Sequence, residues 1–388
     1  MSDSYDVIVA GVGGMGAAAC LHLARRGLRV LGIDRSDIPN AHGSSHGETR
    51  IIRLAYSESP AYVPLLRRAY ALWRELGETV DERLLYTTGS IDAGPPGSGL
   101  FEGALASCFE HDLAHETLSG AEVNRRYPGY RLPDDHLCLF QPDGGFVLPE
   151  RSIVAHVTLA QALGAEIRGH EPVLEWKQIA GGGVRVRTPR RAYEAGRLVL
   201  STGGWIADLV PGLRGVAVPE RQVLGWFQPR HPAWFAPDAF PVGNLDFAEG
   251  RYYLLPVWRV PGLKVGLYHH LGETGHPDAI RRPPSAEDEA ALRRGIARYF
   301  PDADGPVMAL HACIFTNTPD EHFIIDTLPG AEEVIVVSPC SGHGFKFVPV
   351  VGEIVAELAT DGRSRFDLSM FRLDRFGSPV RASRAGPT

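Results

Sequence analysis

Residues 5–10 form an apolar run, and the glycine-rich turn Gly11-Val-Gly13-Gly14-Met15-Gly16 follows it directly. Residues 17–26 carry helix-forming side chains and stop at Gly27. Residues 28–33 are apolar again and end on Asp34. The order predicts a buried parallel strand, a tight turn, a helix and a second parallel strand. Further along, the spacing of apolar positions predicts helices over 61–78, near 99–111, over 149–164, over 285–300 and over 348–360. Residues 86–145 otherwise break into short strands and turns. Residues 222–269 alternate as antiparallel strands do. Two more apolar runs, 194–202 leading into Gly203-Gly204-Trp205 and 333–338, read as strands that return to the first sheet.

This pattern predicts an α/β protein, α+β overall. A Rossmann-type domain is expected from the discontinuous segments 1–85, 146–220 and 312–375. A mostly antiparallel substrate domain with helices is expected from 86–145 and 221–311. Residues 376–388, rich in Arg, Gly and Pro, are expected to be a mobile tail. In the first turn, glycine lets backbone approach a pyrophosphate, and the N-terminus of the following helix favours its charge. Asp34 stands where an acid takes ribose hydroxyls, which argues against a 2′-phosphate and leaves NAD and FAD open.

Composition removes several function classes. The 388 residues carry a formal charge of −7, so no basic nucleic-acid footprint exists. No apolar run approaches the roughly 20 residues of a membrane span. The chain enters its first strand without a basic segment or cleavage site, so a cytoplasmic protein is expected. Five widely spaced cysteines, none in a C-x-x-C pair, disfavour a disulfide framework or zinc site and suit a reducing compartment. Metal binding is not expected, because the adjacent His269 and His270 would point to opposite faces of a strand. No nucleophile elbow, H-E-x-x-H or Walker loop occurs. Of 39 basic residues only Lys177, Lys264 and Lys346 are lysine. In so arginine-rich a chain, lysine marks places where a compact ammonium with a movable pKa is useful. Lys264 and Lys346, with Arg50 and Arg53, stand near glycine-rich stretches. Such a set suits an anionic substrate and a cofactor whose reduced form is an anion.

Three segments carry a resemblance: Gly43-Ser-Ser-His46-Gly-Glu-Thr-Arg50-Ile-Ile-Arg53, Cys313-Ile-Phe-Thr-Asn-Thr-Pro-Asp-Glu-His-Phe-Ile-Ile-Asp326 and Ser341-Gly-His-Gly-Phe-Lys346-Phe. They resemble the monomeric sarcosine oxidase, pipecolate oxidase and N-methyltryptophan oxidase family. Lys264-Val-Gly-Leu-Tyr-His269-His-Leu-Gly is similar to its pipecolate branch. The resemblance spans residues 5 to about 360. It implies FAD, bound covalently through Cys313, and oxidation of a secondary or N-methyl amino acid. A hydride equivalent would pass to the flavin, and O2 would reoxidise it to give hydrogen peroxide. Arg53 and Lys346 would hold the substrate carboxylate, and Tyr253 would line its pocket. Lys264 would promote the reaction with oxygen, with Arg50 and His269 beside the flavin. Gly11, Gly13, Gly14, Met15, Gly16, Asp34, Arg35, Ser44, His46, Val173, Gly203, Trp205, Gly342 and Gly344 would contact the cofactor. Phe315 replaces an expected tyrosine, and either Tyr268 or His269 would face the flavin. Cys340 is expected to pack beside it. The resemblance also implies a monomer acting on a small amino acid. The alternatives are a biosynthetic oxidase that desaturates a cyclic amino acid, a dehydrogenase using a protein or quinone acceptor, an NAD-dependent dehydrogenase and a non-catalytic nucleotide-binding protein.

Overall fold

The computed structural model describes residues 4–338 and 341–377. Cys340 and most of the expected tail, 378–388, lie outside the described residues. The first apolar run is the strand Ser4–Ala10, buried along its inner part and central to an eight-stranded sheet. It pairs in parallel with Val30–Ile33 on one side and Ala192–Leu200 on the other. Ala331–Ser338 joins Ala192–Leu200 in parallel, so the two late apolar runs do return to this sheet. Parallel strands buried on both faces read as continuous apolar segments, which is why they were visible in the sequence. The helix Gly14–Arg25 covers the sheet and packs against Val348–Asp361. They meet at small residues, since a Cβ on Gly352 would lie 2.6 Å from the Ala18 backbone.

A second eight-stranded sheet holds Val218–Phe227, Val242–Phe247, Gly250–Leu255, Leu263–Leu267 and Val307–Asn317, with three strands from residues 90–141. Its neighbours are antiparallel except Ser90–Gly94 with Val242–Phe247, which run parallel. Val307–Asn317 pairs along its length with Val218–Phe227. The boundary expected at residues 311 and 312 therefore falls inside a strand of this sheet. Residues 50–52 form a strand of a small third sheet with Leu85–Thr87 and Gly145–Val147. The short helix Gly120–Arg126 was not anticipated, although Ser119 and Glu122 close a capping box at its start. The helix Ala286–Tyr299 starts with a second box, Ser285 and Asp288. The carboxyl ends of the parallel strands and the inner face of the antiparallel sheet share one deep cleft.

Candidate active site

The cleft encloses about 1850 Å³, counted out to its open mouth. Its outer end is the glycine turn. Gly11 has φ +91°, and a Cβ there would lie 2.6 Å from the Ser201 carbonyl oxygen. A Cβ on Gly16 would lie 1.8 Å from the Gly11 carbonyl oxygen. Glycine at these two positions seats the helix on the strand ends. Gly13 has only Ser45 Oγ within reach, at 3.8 Å, so its backbone is open to the cleft. The first turn of the helix, Gly14 and Met15, borders this space, and the Gly14 N–H donates to Ser45 Oγ at 3.2 Å. Asp34 accepts from the Val12 N–H at 2.8 Å and the Ser36 N–H at 2.9 Å. Burial raises its carboxyl above the ordinary value, against those N–H groups. Arg35 lies 4.7 Å over the Trp205 ring, and Trp205 Nε1 donates to Asp278 at 2.9 Å. Val173 and Gly203 complete this wall. No side chain or backbone approaches the Cβ direction of Gly203, whose φ is +56°. Open glycine backbone, a helix N-terminus and a buried acid fit a dinucleotide.

Deeper in the cleft the chain gathers cations. Glu150 accepts from the Gly47 and Glu48 N–H groups at 2.5 and 3.1 Å and fixes the loop. The loop carbonyls of Gly47 and Thr49 then accept from Lys264 Nζ at 2.7 and 2.5 Å. Lys264 is buried. Burial, then Arg50, hold its ammonium well below the usual lysine range. Arg50 donates to the Thr49 and Ser44 carbonyls at 3.0 and 2.9 Å, and its Nη2 lies 3.7 Å from Cys313 Sγ. Cys313 is held in its strand opposite Gln222, with its sulfur facing the cleft.

The inner end is charged and aromatic. Arg53 is 1% exposed. It pairs with Glu58 at 3.2 Å through Nη2 and with Asp92 at 3.3 Å through Nε. Burial works against the Arg53 charge, but Asp92 and Glu58 outweigh it and raise the pKa. Burial also pushes Glu58 up, yet Arg53, His343, Arg251 and Lys346 hold its carboxyl well below the usual range. Arg251 reaches Glu58 at 3.3 Å and lies 4.6 Å over the Tyr268 ring. Lys346 Nζ donates to the His343 carbonyl at 2.6 Å, and burial, then Arg53, lower its pKa well below the usual range. Tyr253 meets Tyr268 edge to face with centroids 5.3 Å apart, and Tyr268 meets Phe315 in a tilted contact at 5.8 Å, forming an aromatic wall.

The structure thus brings Gly11, Gly13, Gly14, Met15, Asp34, Arg35, Ser44, Arg50, Arg53, Val173, Gly203, Trp205, Tyr253, Lys264, Cys313, Gly342, Gly344 and Lys346 to one cleft. Three expected residues are elsewhere. Gly16 lies beneath the turn and acts through packing. His46 is buried behind its loop, and its Nε2 meets no hydrogen-bond partner among the described residues. Burial, then Arg50 and Lys264, push its imidazole down to about 3. His269 is the main correction. The strand ends at Leu267, and φ of +58° at His269 turns that side chain outward. It rests 3.0 Å from Glu220 and 3.3 Å from Glu321, whose hydrogen bonds push it up to about 10. Tyr268 is the one that lines the cleft. Sequence reading missed Glu58, Asp92, Asn244 and Arg251. Only Asp92 left a signal, an acid within the buried run Ser90–Gly94. Among the described residues no group of three or more His, Cys, Asp or Glu could hold a metal ion, and no helix is long and apolar enough to cross a membrane.

Comparison with known proteins agrees with this geometry. The family described as FAD dependent oxidoreductase matches residues 6–358. Monomeric sarcosine oxidase of Streptomyces avermitilis is 40% identical over 376 residues, covering 96% of this chain and 97% of that protein. N-methyl-L-tryptophan oxidase of Salmonella arizonae is 37% identical, covering 96% and 99%. Among solved structures, NikD, described as an unusual amino acid oxidase essential for nikkomycin biosynthesis, superposes with a TM-score of 0.83 at 27% identity, covering 96% and 98%. L-proline dehydrogenase from P. horikoshii shares the fold, with a TM-score of 0.82 at 20% identity, covering 97% and 99%. A dinucleotide cradle that leads into a buried set of cations, matched over nearly the whole chain, makes this protein a member of the FAD-dependent oxidoreductase family, in its group of sarcosine oxidase-like amine oxidases.

Proposed function

We propose that the enzyme oxidises a secondary or N-methyl amino acid, sarcosine-like or pipecolate- and proline-like, with O2 as acceptor and hydrogen peroxide as product. The observation that carries this reading is the charge at the inner end of the cleft. Arg53 and Arg251 balance Glu58 and Asp92, and Lys346, facing the same acids, is the group whose charged form a substrate carboxylate would favour. Arg53 is held on two sides by acids and so keeps a fixed orientation, and Lys346 supplies a point contact. FAD, when bound, accepts a hydride equivalent from the carbon attached to the substrate nitrogen. The protein's part is orientation, exclusion of water by Tyr253, Tyr268 and Phe315, and a fixed field. Lys264, anchored on two carbonyls and held below the usual lysine range by burial, would be drawn to its charged form where negative charge develops as oxygen is reduced. Cys313, which lines the cleft with its sulfur 3.7 Å from Arg50 Nη2, suits covalent attachment of the flavin.

The proposal extends to organisation. The parallel sheet binds the cofactor and the antiparallel sheet shapes the substrate end. The chain acts as a monomer, as the names of its sarcosine oxidase relatives suggest. The described cysteines are buried and unpaired, which suits a reducing cytoplasm.

The test is acid precipitation of the purified protein, followed by anaerobic mixing with sarcosine, N-methyl-L-tryptophan, L-pipecolate and L-proline. A yellow pellet, bleaching by at least one of these amines and peroxide on readmitting air are expected. A yellow supernatant removes Cys313 from its role. A flavin that no amine bleaches refutes the substrate reading.

A further inference from the structure

Asp92 and Asn244 face each other on the two parallel-paired strands of the antiparallel sheet. Both are buried, at 0 and 1% exposure. A buried carboxylate and amide are costly unless each has partners. Asp92 Oδ1 accepts from Asn244 Nδ2 at 3.0 Å, and Oδ2 lies 3.3 Å from Arg53 Nε. An ionised carboxylate only accepts hydrogen bonds, so it fixes which way the amide turns. Nδ2 faces Asp92, and the carbonyl Oδ1 is left as the free end. Asn244 lines the cleft, and no donor among the described residues reaches that oxygen.

We propose that Asn244, positioned by Asp92, accepts a hydrogen bond from the N–H of the substrate amine and selects secondary amines over tertiary ones. The inference rests on the amino-acid reading above and sharpens it. One carboxylate holds both Arg53 and Asn244, so the carboxylate receptor and the acceptor oxygen lie close together. In an α-amino acid the nitrogen is one carbon from the carboxylate, which matches that spacing. A tertiary amine has no N–H in its reactive, unprotonated form and would cover that oxygen without pairing it.

The experiment uses flavin-loaded enzyme and two rigid ligands without a transferable hydrogen, pyrrole-2-carboxylate and furan-2-carboxylate. They share the carboxylate and differ in N–H against oxygen. Calorimetric titration should give about tenfold tighter binding of the pyrrole, the net worth of one hydrogen bond. In Asn244→Leu that ratio should fall to near one, through loss of pyrrole affinity. In Asp92→Asn the residue-92 amide can donate or accept, which frees Asn244 to turn. Both ligands then weaken together through Arg53, and their ratio also falls. A purely structural role would weaken both ligands alike and leave the ratio unchanged. Equal wild-type affinities, or a wild-type ratio in both variants, would overturn the role of Asn244. Should Asn244→Leu fail to retain flavin, Asp92→Asn decides. If neither ligand binds the wild-type enzyme, the amino-acid reading falls, and this inference with it. In turnover, the preference for sarcosine over N,N-dimethylglycine in kcat/KM should shrink about tenfold in Asn244→Leu.

Discussion

His46 sits behind the loop that Lys264 anchors, and its neutrality should be readable as acid sensitivity. Its pKa is held at about 3 by burial first and by Arg50 and Lys264 second. In the unfolded chain the same imidazole titrates near its ordinary value of about 6.5. Below that pH the unfolded state takes up a proton that the folded state refuses, so stability falls as pH falls. The loss runs from about 6.5 down to about 3 and is absent above 6.5. One pH unit below the unfolded value the cost is RT ln(1 + 10), about 1.4 kcal/mol. The assay is urea unfolding of flavin-loaded wild type and His46→Gln at pH 7.5 and 5.5. Glutamine fills similar space without titrating. The wild type should lose about 1 kcal/mol more than the variant on acidification. His22, held at about 3, and His156 and His343, each at about 4, act in the same direction. All three are present in both proteins, so their effects cancel in the difference. Equal losses would refute the claim that His46 is buried neutral.

The other predictions concern single side chains of the cleft. Lys264→Met should slow reoxidation of the flavin by about a hundredfold, the scale for removing one preorganised group, while anaerobic reduction keeps most of its rate. Stopped-flow of the two half-reactions separates these, and unchanged reoxidation would remove Lys264 from oxygen chemistry. Cys313→Ser should release its flavin to the supernatant on acid precipitation, and a yellow pellet would place the attachment elsewhere. Gly16→Ala puts a Cβ 1.8 Å from the Gly11 carbonyl oxygen, so the helix must move off the strand ends. A loss of about 3 kcal/mol and poor flavin retention are expected, and a variant with wild-type melting and full flavin would refute the packing argument.

How much of this was legible in the sequence follows from which contacts are local. The cradle was readable because turn, helix, strand and Asp34 are consecutive, and each is dictated by its neighbours. The returning strands were readable because burial on both faces makes them continuously apolar. Lys264 and Lys346 stood out against an arginine-rich background. His269 was misplaced because one residue decides the side on which a strand residue lies, and the strand ends at Leu267, just before the turn. Glu58, Asp92, Asn244 and Arg251 were illegible for another reason. Arg251 and Glu58 are 193 positions apart, and Asn244 and Asp92 are 152 apart. Only the pairing of Ser90–Gly94 with Val242–Phe247 brings the second pair together, and parallel pairing between distant strands has no short-range signature.

The two halves of the cleft also differ in how they manage charge, and this explains the division of work between lysine and arginine. Near Cys313 no carboxylate among the described residues forms an ion pair with Lys264 or Arg50. Lys264 and Arg50 are satisfied by backbone carbonyls, which stabilise an ammonium or guanidinium without cancelling its charge. That end keeps a positive field for whatever negative charge develops there. At the substrate end Arg53 is bracketed by Glu58 and Asp92, so its charge is largely spent on fixing its own position. Lys346, held by one carbonyl and depressed by burial, is the group there whose protonation can respond. An arriving carboxylate favours its charged form, so binding should draw in a proton wherever the free lysine is neutral and weaken as pH rises. The acids around Arg53 thus do not compete with the substrate for one receptor. They set the geometry, and the lysine supplies the charge that the substrate completes.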